Sequence, residues 1–220
     1  MRLDLHNHTR YSPDARVPPR ELVGAATRAG LDGLAITDHN AVGGIAEALD
    51  AARDGFLVIP AMEISTSEGH VLAYGIREIV PRDLSARETV ERVVALGGVP
   101  VAAHPYRFWS GLGPEATAGA GFAAYETRNA RTLRRGNDRA RDLAHANRVG
   151  ETGGSDSHSL GELGRAITVI DGGAVGLGDV LQRLGQGRTG SEGRDRGAAG
   201  TARYVTKAVG EWILRGMRRI

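Results

Sequence analysis

The chain has 220 residues, of which 41% are hydrophobic and 25% charged, with seven histidines and no cysteine. This composition is typical of a soluble globular protein and excludes a disordered tail, a collagen-like repeat and a membrane-embedded chain. Without cysteine there are no disulfides, thiolate zinc fingers or iron–sulfur clusters, so any metal must be bound by nitrogen and oxygen ligands. The formal net charge is only +2. Residues 128–148 are nonetheless rich in arginine, and a basic surface of this kind favours anionic partners.

Short apolar runs alternate with longer amphipathic ones along the chain. The short runs predict strands at Arg2–Asn7, Gly33–Thr37, Phe56–Ala61, His70–Gly75, Val99–Ala103, Phe122–Glu126 and Ala166–Ile170. The longer ones predict helices at Pro19–Ala29, Gly44–Arg53, Ala86–Leu96, Thr132–Asn147 and Asp179–Leu184. This alternation indicates parallel strands joined by crossover helices, in an α/β barrel or in an open doubly wound sheet.

Residues typical of helix ends support these boundaries. Ser85 and Glu88 form an S-x-x-E capping box before the third predicted helix. Gly30 and Gly97 stand where the C-caps of the first and third helices belong.

We expect three parts in the chain: a barrel domain over residues 1–184, a Gly-rich connecting segment over 185–202 and a basic amphipathic helix over 203–220. The Gly/Ala-rich stretch 111–121 predicts a loop. The helix is expected to pack on the barrel, with a membrane surface or another subunit as the alternative, so a homo-oligomer is left open. No signal-peptide pattern or membrane span is found, and we expect a cytoplasmic protein.

Six of the seven histidines lie at or beside predicted strand ends. They are His6, His8, His39, His70, His104 and His158. Active sites of α/β barrels are built at the C-terminal rim of the strands, so this distribution predicts a functional site there. His145 lies in an arginine-rich predicted helix and is expected on the surface.

Acidic residues accompany these histidines. Asp4, His6 and His8 fall on one side of the first strand because side chains alternate along a strand. Asp4 can therefore hydrogen-bond a liganding imidazole and fix its tautomer. Asp38, beside His39, can orient a neighbouring ring in the same way or cap the strand end.

In this order and at these positions, the motifs resemble those of the PHP family, the polymerase-and-histidinol-phosphatase metallo-phosphoesterases. They stand in this sequence as DLHNHTRYSPDA, ITDHN, MEIS, HVLAYG, AHPYR and GSDSH. The resemblance implies a distorted (β/α)7 TIM-like barrel whose C-terminal rim holds two or three divalent metal ions, Zn, Mn or Fe. Only 51 residues separate His104 from Asp156, which indicates a compact barrel without an inserted domain.

The resemblance also implies nine metal ligands in three groups. One site is formed by His6, His8, Glu63 and Asp156; Glu63 bridges to a second site completed by His70 and His104; the third site is formed by Asp14, His39 and His158.

Such a centre implies hydrolysis of a phosphate ester, either a phosphomonoester or a nucleotide-like small molecule, by a metal-bridging hydroxide. Arg107 is the first candidate for a phosphate clamp, followed by Arg10 and Arg128. Each of these arginines could instead pair with a carboxylate at the rim. Asp156 and His158 join Arg107 as candidates for catalytic roles.

Three alternatives remain at this point. A nuclease that trims DNA or RNA ends would use the basic segment 128–148. The same metal rim could also support amide hydrolysis. A non-catalytic PHP-like structural module is the third alternative, although the intact set of ligands argues against it.

Overall fold

The computed structural model describes residues 1–172, 176–196 and 209–210. Its strands are β1 (Arg2–Asp4), β2 (Gly33–Ile36), β3 (Leu57–Ser65), β4 (His70–Tyr74), β5 (Val99–Ala102), β6 (Ala124–Asn129), β7 (Gly150–Gly154), β8 (Ala166–Val169) and β9 (Gly190–Gly193). Its helices are α1 (Pro19–Arg28), α2 (Gly44–Ala51), α3 (Ala86–Ala95), α4 (Gly113–Gly119), α5 (Arg134–Asn147) and α6 (Leu177–Gly185).

The strands form one sheet in the order β7-β6-β5-β4-β3-β2-β1-β8-β9. The sheet curls so that β7 approaches β8 and β9. The backbone N–H of Gly153 donates to Thr168 Oγ1 at 2.8 Å, and that of Glu151 donates to the carbonyl of Thr189 at 3.4 Å. The sheet is therefore a nearly closed barrel, which confirms the predicted α/β barrel and excludes the open doubly wound sheet.

The predicted parallel arrangement is wrong for β4 and for β8, which runs antiparallel to β1. Strands β1 to β3 and β5 to β7 are parallel within each set, but β4 is antiparallel to both of its neighbours, β3 and β5. The cause is that β3 continues to Ser65 and returns through a tight turn, in which the N–H of Thr66 donates to the carbonyl of Gly69 at 2.8 Å. His70, which opens β4, therefore lies at the rim where the parallel strands end.

Helices cover the outside of the barrel and one of its ends. Leu22 of α1 and Ile45 of α2 pack with the buried side chains of β2. Helix α6 closes the end opposite His70: Leu181 lies against Gly75, which follows β4, and Gly185 lies near Val99, which opens β5. The rim that carries the histidines is thus left free of this helix.

The predicted helix caps are confirmed. The side chain of Ser85 accepts a hydrogen bond from the N–H of Glu88, and the Glu88 carboxylate accepts one from the N–H of Ser85. Gly30 and Gly97 both adopt a φ of +74°, the left-handed conformation that favours glycine at a helix end.

Two segments differ from their sequence-based descriptions. The stretch 111–121 was expected to be a loop but contains α4, which has Pro114 in its first turn and buries Thr117. Its Gly/Ala-rich composition hides the helical pattern because small residues give no apolar stripe. The connecting segment 185–202 contains β9, which pairs with β8 and extends the sheet.

Apart from residues 209–210, the predicted helix over 203–220 lies outside the described residues. Within the described part of the chain, no helix has both the length and the apolar character needed to cross a membrane.

Candidate metal centre

The carboxylate of Glu63, near the end of β3, lies at the centre of a cluster of histidines. Five imidazole nitrogens approach its two oxygens at 2.7 to 3.2 Å: those of His6, His8 and His39 lie near Oε2, and those of His70 and His104 lie near Oε1. Glu63 itself is 1% exposed. One buried carboxylate is therefore shared by five rings from four different stretches of chain.

All nine side chains that the sequence proposed as ligands lie in this cluster. Their donor atoms form four groups in which every atom is within 4.8 Å of the others. The groups are His8, Asp14, His39 and His158; His6, His104 and Asp156; His6, His8 and Glu63; and His39, Glu63 and His70.

These groups differ in part from the expected division into three sites. His8 and His39 each belong to two groups, since both also approach Glu63. His104 groups with His6 and Asp156 in addition to its contact with Glu63. The donors are thus shared more widely than the sequence motifs indicate.

Hydrogen bonds fix the orientation of two of the rings. His6 Nδ1 lies 2.9 Å from Glu126 Oε1, and His8 Nδ1 lies 2.9 Å from Ser12 Oγ. With the proton on Nδ1, each ring directs the lone pair of its Nε2 toward Glu63. Among the described residues these two Nε2 atoms and His39 Nδ1 have no hydrogen-bond partner, although all three are buried. Buried lone pairs facing a carboxylate are an arrangement that a bound cation satisfies.

Ser12 holds the His8 ring through a small hydrogen-bond network. Its oxygen accepts from the backbone N–H of His39 at 2.9 Å, and its side chain lies close enough to Asp38 to lower the pKa of that carboxyl, which burial raises. Asp38 also accepts from the N–H and the hydroxyl of Thr9, at 2.6 and 2.7 Å. Of the two roles considered for Asp38, these contacts support the structural one.

The prediction that Asp4 orients a liganding imidazole is wrong. Asp4 accepts hydrogen bonds from the backbone N–H groups of His6, Ser155 and Gly164, so it ties β1 to the β7–β8 connection. The carboxylate that contacts the His6 ring is Glu126, a residue to which the sequence analysis gave no role. Its position at the end of a predicted strand was the signal that could have identified it.

Two arginines reach the buried carboxylate of Asp156. Arg107 Nη2 lies 2.5 Å from Asp156 Oδ2 and 2.8 Å from Asn129 Oδ1. Arg131 Nη1 lies 3.5 Å from Asp156 Oδ1 and also contacts His158 Nδ1. Their side chains are 10% and 16% exposed, so they connect the cluster with its surface. Arg107 was a sequence candidate, whereas Arg131 was missed because its loop position carries no motif.

The other two candidate arginines pair with carboxylates. Arg10 Nη2 lies 2.8 Å from Glu47 Oε2 on α2, and Arg128 Nη1 lies 2.6 Å from Asp195 Oδ1. Carboxylate pairing was the alternative considered for all three candidates, and Arg107 also makes such a pair, with Asp156. His145 is 65% exposed, as expected for a surface residue.

The two buried carboxylates of the cluster remain ionised, which favours the binding of a cation. Burial opposes ionisation of Glu63, but the surrounding imidazoles hold the pKa of this carboxyl well below its usual range. Asp156 is also buried, and Arg107 is the main group that keeps its pKa low. Burial opposes protonation of His8, yet Asp156 and Glu63 raise its pKa to about 9, so a metal that binds His8 Nε2 would have to displace a proton from it. Burial and Arg107 lower the pKa of His104 to about 4, which leaves this imidazole neutral and able to bind a metal.

Two residues of the cluster have unusual backbone conformations. His104 and Asp156 have φ angles of +28° and +51°, which non-glycine residues rarely adopt. Such conformations concentrate at functional sites.

Comparisons with known proteins agree with this geometry. Residues 4–97 match the PHP domain and residues 134–189 match the PHP-associated region, and together these ranges contain every clustered ligand except His104. The uncharacterized protein MJ1587 of Methanocaldococcus jannaschii is 36% identical over 117 residues, which are 48% of this chain and 68% of that protein. The chain belongs to the PHP family.

Two further relatives of this PHP-family chain are informative. The 3',5'-nucleoside bisphosphate phosphatase of Chromobacterium violaceum is 40% identical over 84 residues, covering 36% of this chain and 29% of the phosphatase. A two-domain protein from Bacteroides vulgatus, described as containing a predicted PHP-like metal-dependent phosphoesterase, has a TM-score of 0.73 at 20% identity. That alignment covers 88% of this chain and 65% of the Bacteroides protein, and it supports the fold. This chain thus spans less than two thirds of either protein.

Proposed function

We propose that this PHP-family chain is a metal-dependent hydrolase of phosphate esters that binds two or three divalent ions. The observation that carries the proposal is the convergence of five imidazole nitrogens on the two oxygens of Glu63. Nitrogen and carboxylate donors suit Zn, Mn or Fe. The names of the phosphatase and phosphoesterase relatives support the same activity.

In this proposal Glu63 and the remaining eight clustered side chains would hold the ions. Bound divalent ions supply Lewis acidity and activate water for attack on phosphorus. Glu126 and Ser12 hold the His6 and His8 rings so that their unprotonated nitrogens face the centre. Burial of the cluster excludes bulk water and strengthens each electrostatic contact.

Arg107 and Arg131 bind the phosphoryl group in this proposal. Both contact Asp156 and both are partly exposed, so an incoming phosphate can meet them at the entrance to the cluster. Guanidinium groups form paired, charge-assisted hydrogen bonds with phosphate oxygens. They therefore orient the ester and stabilise the charge that develops on its oxygens.

The experiment that tests this function measures phosphate release from a panel of phosphomonoesters and phosphodiesters. The protein is stripped with a chelator and reloaded with Mn²⁺, Zn²⁺ or Fe²⁺. We expect hydrolysis that requires the metal, and a fall in kcat/KM on the order of 10²-fold for Arg107→Ala. Arg10→Ala is the matched control, because Arg10 pairs with Glu47 and its activity is expected to stay unchanged. A metal-loaded protein that hydrolyses none of these esters would overturn the proposal.

A further inference from the structure

Asn129, the last residue of β6, is an amide that contacts both arginines and carboxylates of the metal centre. Its Oδ1 accepts hydrogen bonds from Arg107 Nη2 at 2.8 Å and from the backbone N–H of Arg131 at 2.9 Å. Its Nδ2 donates to Glu126 Oε2 at 3.0 Å and to Asp156 Oδ2 at 3.3 Å. The side chain is completely buried. One amide therefore connects Arg107 with two buried carboxylates.

The chemistry of these partners fixes the direction in which the amide points. The guanidinium of Arg107 and the backbone N–H can only donate hydrogen bonds, whereas the carboxylates of Glu126 and Asp156 can only accept them. An ionised carboxylate in place of the amide would face two like charges, and a cationic side chain would repel Arg107. A neutral amide satisfies both kinds of partner at once.

An irregularity in β6 brings this side chain to the face of the strand that carries Glu126. In the pairing of β6 with β7, Glu126 and Arg128 lie opposite consecutive residues of β7, so Thr127 is an extra residue. In a regular strand Arg128 would share the face of Glu126 because side chains alternate. The extra residue reverses the alternation, so that Asn129 contacts Glu126 instead. Arg128 turns away and pairs with Asp195.

A second buried amide holds the backbone of Asn129. Asn137 Oδ1 accepts a hydrogen bond from the N–H of Asn129 at 3.2 Å, and Asn137 Nδ2 donates to the Asn129 carbonyl at 3.0 Å. The same Nδ2 donates to Asp195 Oδ1, just beyond β9, at 2.7 Å. Asn129 is thus fixed by α5 and by the chain that follows β9, so its position does not depend on Arg107.

Arg107 uses one guanidinium nitrogen to contact both Asn129 and Asp156. Its Nη2 lies 2.8 Å from Asn129 Oδ1 and 2.5 Å from Asp156 Oδ2. This nitrogen carries two hydrogens, so each acceptor can take one of them. Two acceptors in different directions define the plane of the guanidinium, whereas a single acceptor leaves it free to rotate.

We propose that Asn129 is a positioning residue that fixes the plane of the Arg107 guanidinium for binding a phosphoryl group. The proposal rests on the proposed function, in which Arg107 binds that group. A guanidinium binds phosphate through paired hydrogen bonds, so its plane must match the positions of the phosphate oxygens. Without the Asn129 amide, Arg107 keeps its contact with Asp156 but loses this fixed plane.

Modification of arginine by phenylglyoxal, followed by mass spectrometry of the peptides, tests the proposal without hydrolysis. We expect Asn129→Ala to raise the modification rate of Arg107 about tenfold, because a hydrogen bond to a charged group is lost. Asn129→Asp keeps an acceptor for Arg107 and should leave this rate close to that of wild type. Arg10, whose side chain is 49% exposed, is the internal reference. An unchanged Arg107 rate in Asn129→Ala, or equal increases in the alanine and aspartate variants, would overturn the proposal.

Two further variants separate positioning from a loss of stability. Thr89→Val removes a completely buried hydroxyl that donates to the Ser85 carbonyl at 2.8 Å on α3. This matched control should lower the melting temperature and leave the Arg107 modification rate unchanged. Asn129→Ser keeps a small polar group that is too short to reach Arg107, and it takes the place of Asn129→Ala if the alanine variant does not fold. A modification rate that follows melting temperature across all the variants would contradict positioning.

Kinetics of phosphate release show whether Asn129 acts through Arg107. In the metal-loaded protein we expect Asn129→Ala to lower kcat/KM about tenfold in the wild-type background and less than about threefold in the Arg107→Ala background. The same factor in both backgrounds would contradict action through Arg107. The predicted pattern of modification without hydrolysis of any ester would contradict only the hydrolytic function. Hydrolysis with an unchanged pattern of modification would contradict only the positioning.

Discussion

His6 and Glu126 form a buried pair that sets the orientation of the first ring of the metal centre. Their Nδ1 and Oε1 atoms are 2.9 Å apart, and neither side chain is more than 1% exposed. This contact leaves His6 Nε2 3.2 Å from Glu63 Oε2. The same Glu126 accepts the backbone N–H of His104 at 2.9 Å, so one carboxylate positions two candidate ligands.

Replacing this carboxylate is expected to weaken metal binding without removing a ligand. For Glu126→Gln we predict a loss of roughly 10- to 100-fold in metal affinity, because the His6 tautomer is no longer fixed by a charged acceptor. Competition with a chromophoric chelator measures the affinity. The matched control is Glu151→Gln, since Glu151 contacts the exposed His145. Wild-type affinity in Glu126→Gln would contradict the role of Glu126.

The end of β7 packs against the same pair. A Cβ at Gly154 would lie 2.3 Å from His6 Cβ and 2.9 Å from Glu126 Oε1. We predict that Gly154→Ala displaces these groups and lowers both metal affinity and melting temperature.

Gly178 provides the control for this substitution. It lies within α6, where an added Cβ meets no atom within 4 Å. Gly178→Ala should stabilise the protein by roughly 0.5–1 kcal/mol, because alanine is the better helix former and its unfolded chain is less flexible. Equal melting temperatures for the two variants would show that the Gly154 contact has no energetic consequence.

Much of the metal centre is predictable because strand ends converge at one rim. His6, His39 and His104 were assigned to that rim from their positions after apolar runs. His70 reaches it for a different reason: in a fully parallel barrel a residue that opens a strand lies at the opposite end. The β3–β4 turn reverses the chain and returns His70 to Glu63, and the apolar runs of the sequence do not show this reversal.

The residues that support the ligands were harder to predict. Arg131 contacts Asp156 and His158 across 25 and 27 positions of the sequence, which only the tertiary structure brings together. Asp4 has the right residue type and strand position for orienting a ring, yet backbone N–H groups occupy its oxygens. The role of Asp4 depends on which hydrogen-bond donors lie near it in the folded chain, and the sequence pattern does not show this.

Metal removal is predicted to lower thermal stability. A ligand that binds only the folded state, at about 100 times its dissociation constant, stabilises by about 2.7 kcal/mol. For a chain of this length that corresponds to about 5 to 10 °C in melting temperature. We expect this difference between metal-loaded and chelator-treated protein in a calorimetric scan. The difference should disappear in Glu63→Ala, and a wild-type protein that melts identically with and without metal would contradict the prediction.

The capping box of α3 gives a prediction that is independent of the metal centre. For Ser85→Ala we expect a melting temperature lower by about 3 °C at pH 7 and unchanged activity. The control is Ser159→Ala, measured for stability alone, because the side chain of Ser159 makes no capping hydrogen bond.

The effect of Ser85→Ala should depend on pH. Hydrogen bonds from the side chain and backbone of Ser85 lower the pKa of Glu88 in the folded protein. The resulting stabilisation is present above the unfolded pKa of about 4.3 and is lost as the pH falls through the lowered folded value. The difference in melting temperature between wild type and Ser85→Ala should therefore shrink below about pH 4. A difference that grows on acidification would contradict this assignment.

The most direct test of the account is the metal content of wild type and Glu63→Ala after reloading, measured by elemental analysis alongside phosphate release. We predict two or three divalent ions per wild-type chain, because nine donor side chains, Glu63 among them, form four overlapping groups. In Glu63→Ala, metal content and hydrolysis should fall together. A wild-type protein that binds no divalent metal at micromolar concentration, or a Glu63→Ala variant with unchanged metal content, would contradict it.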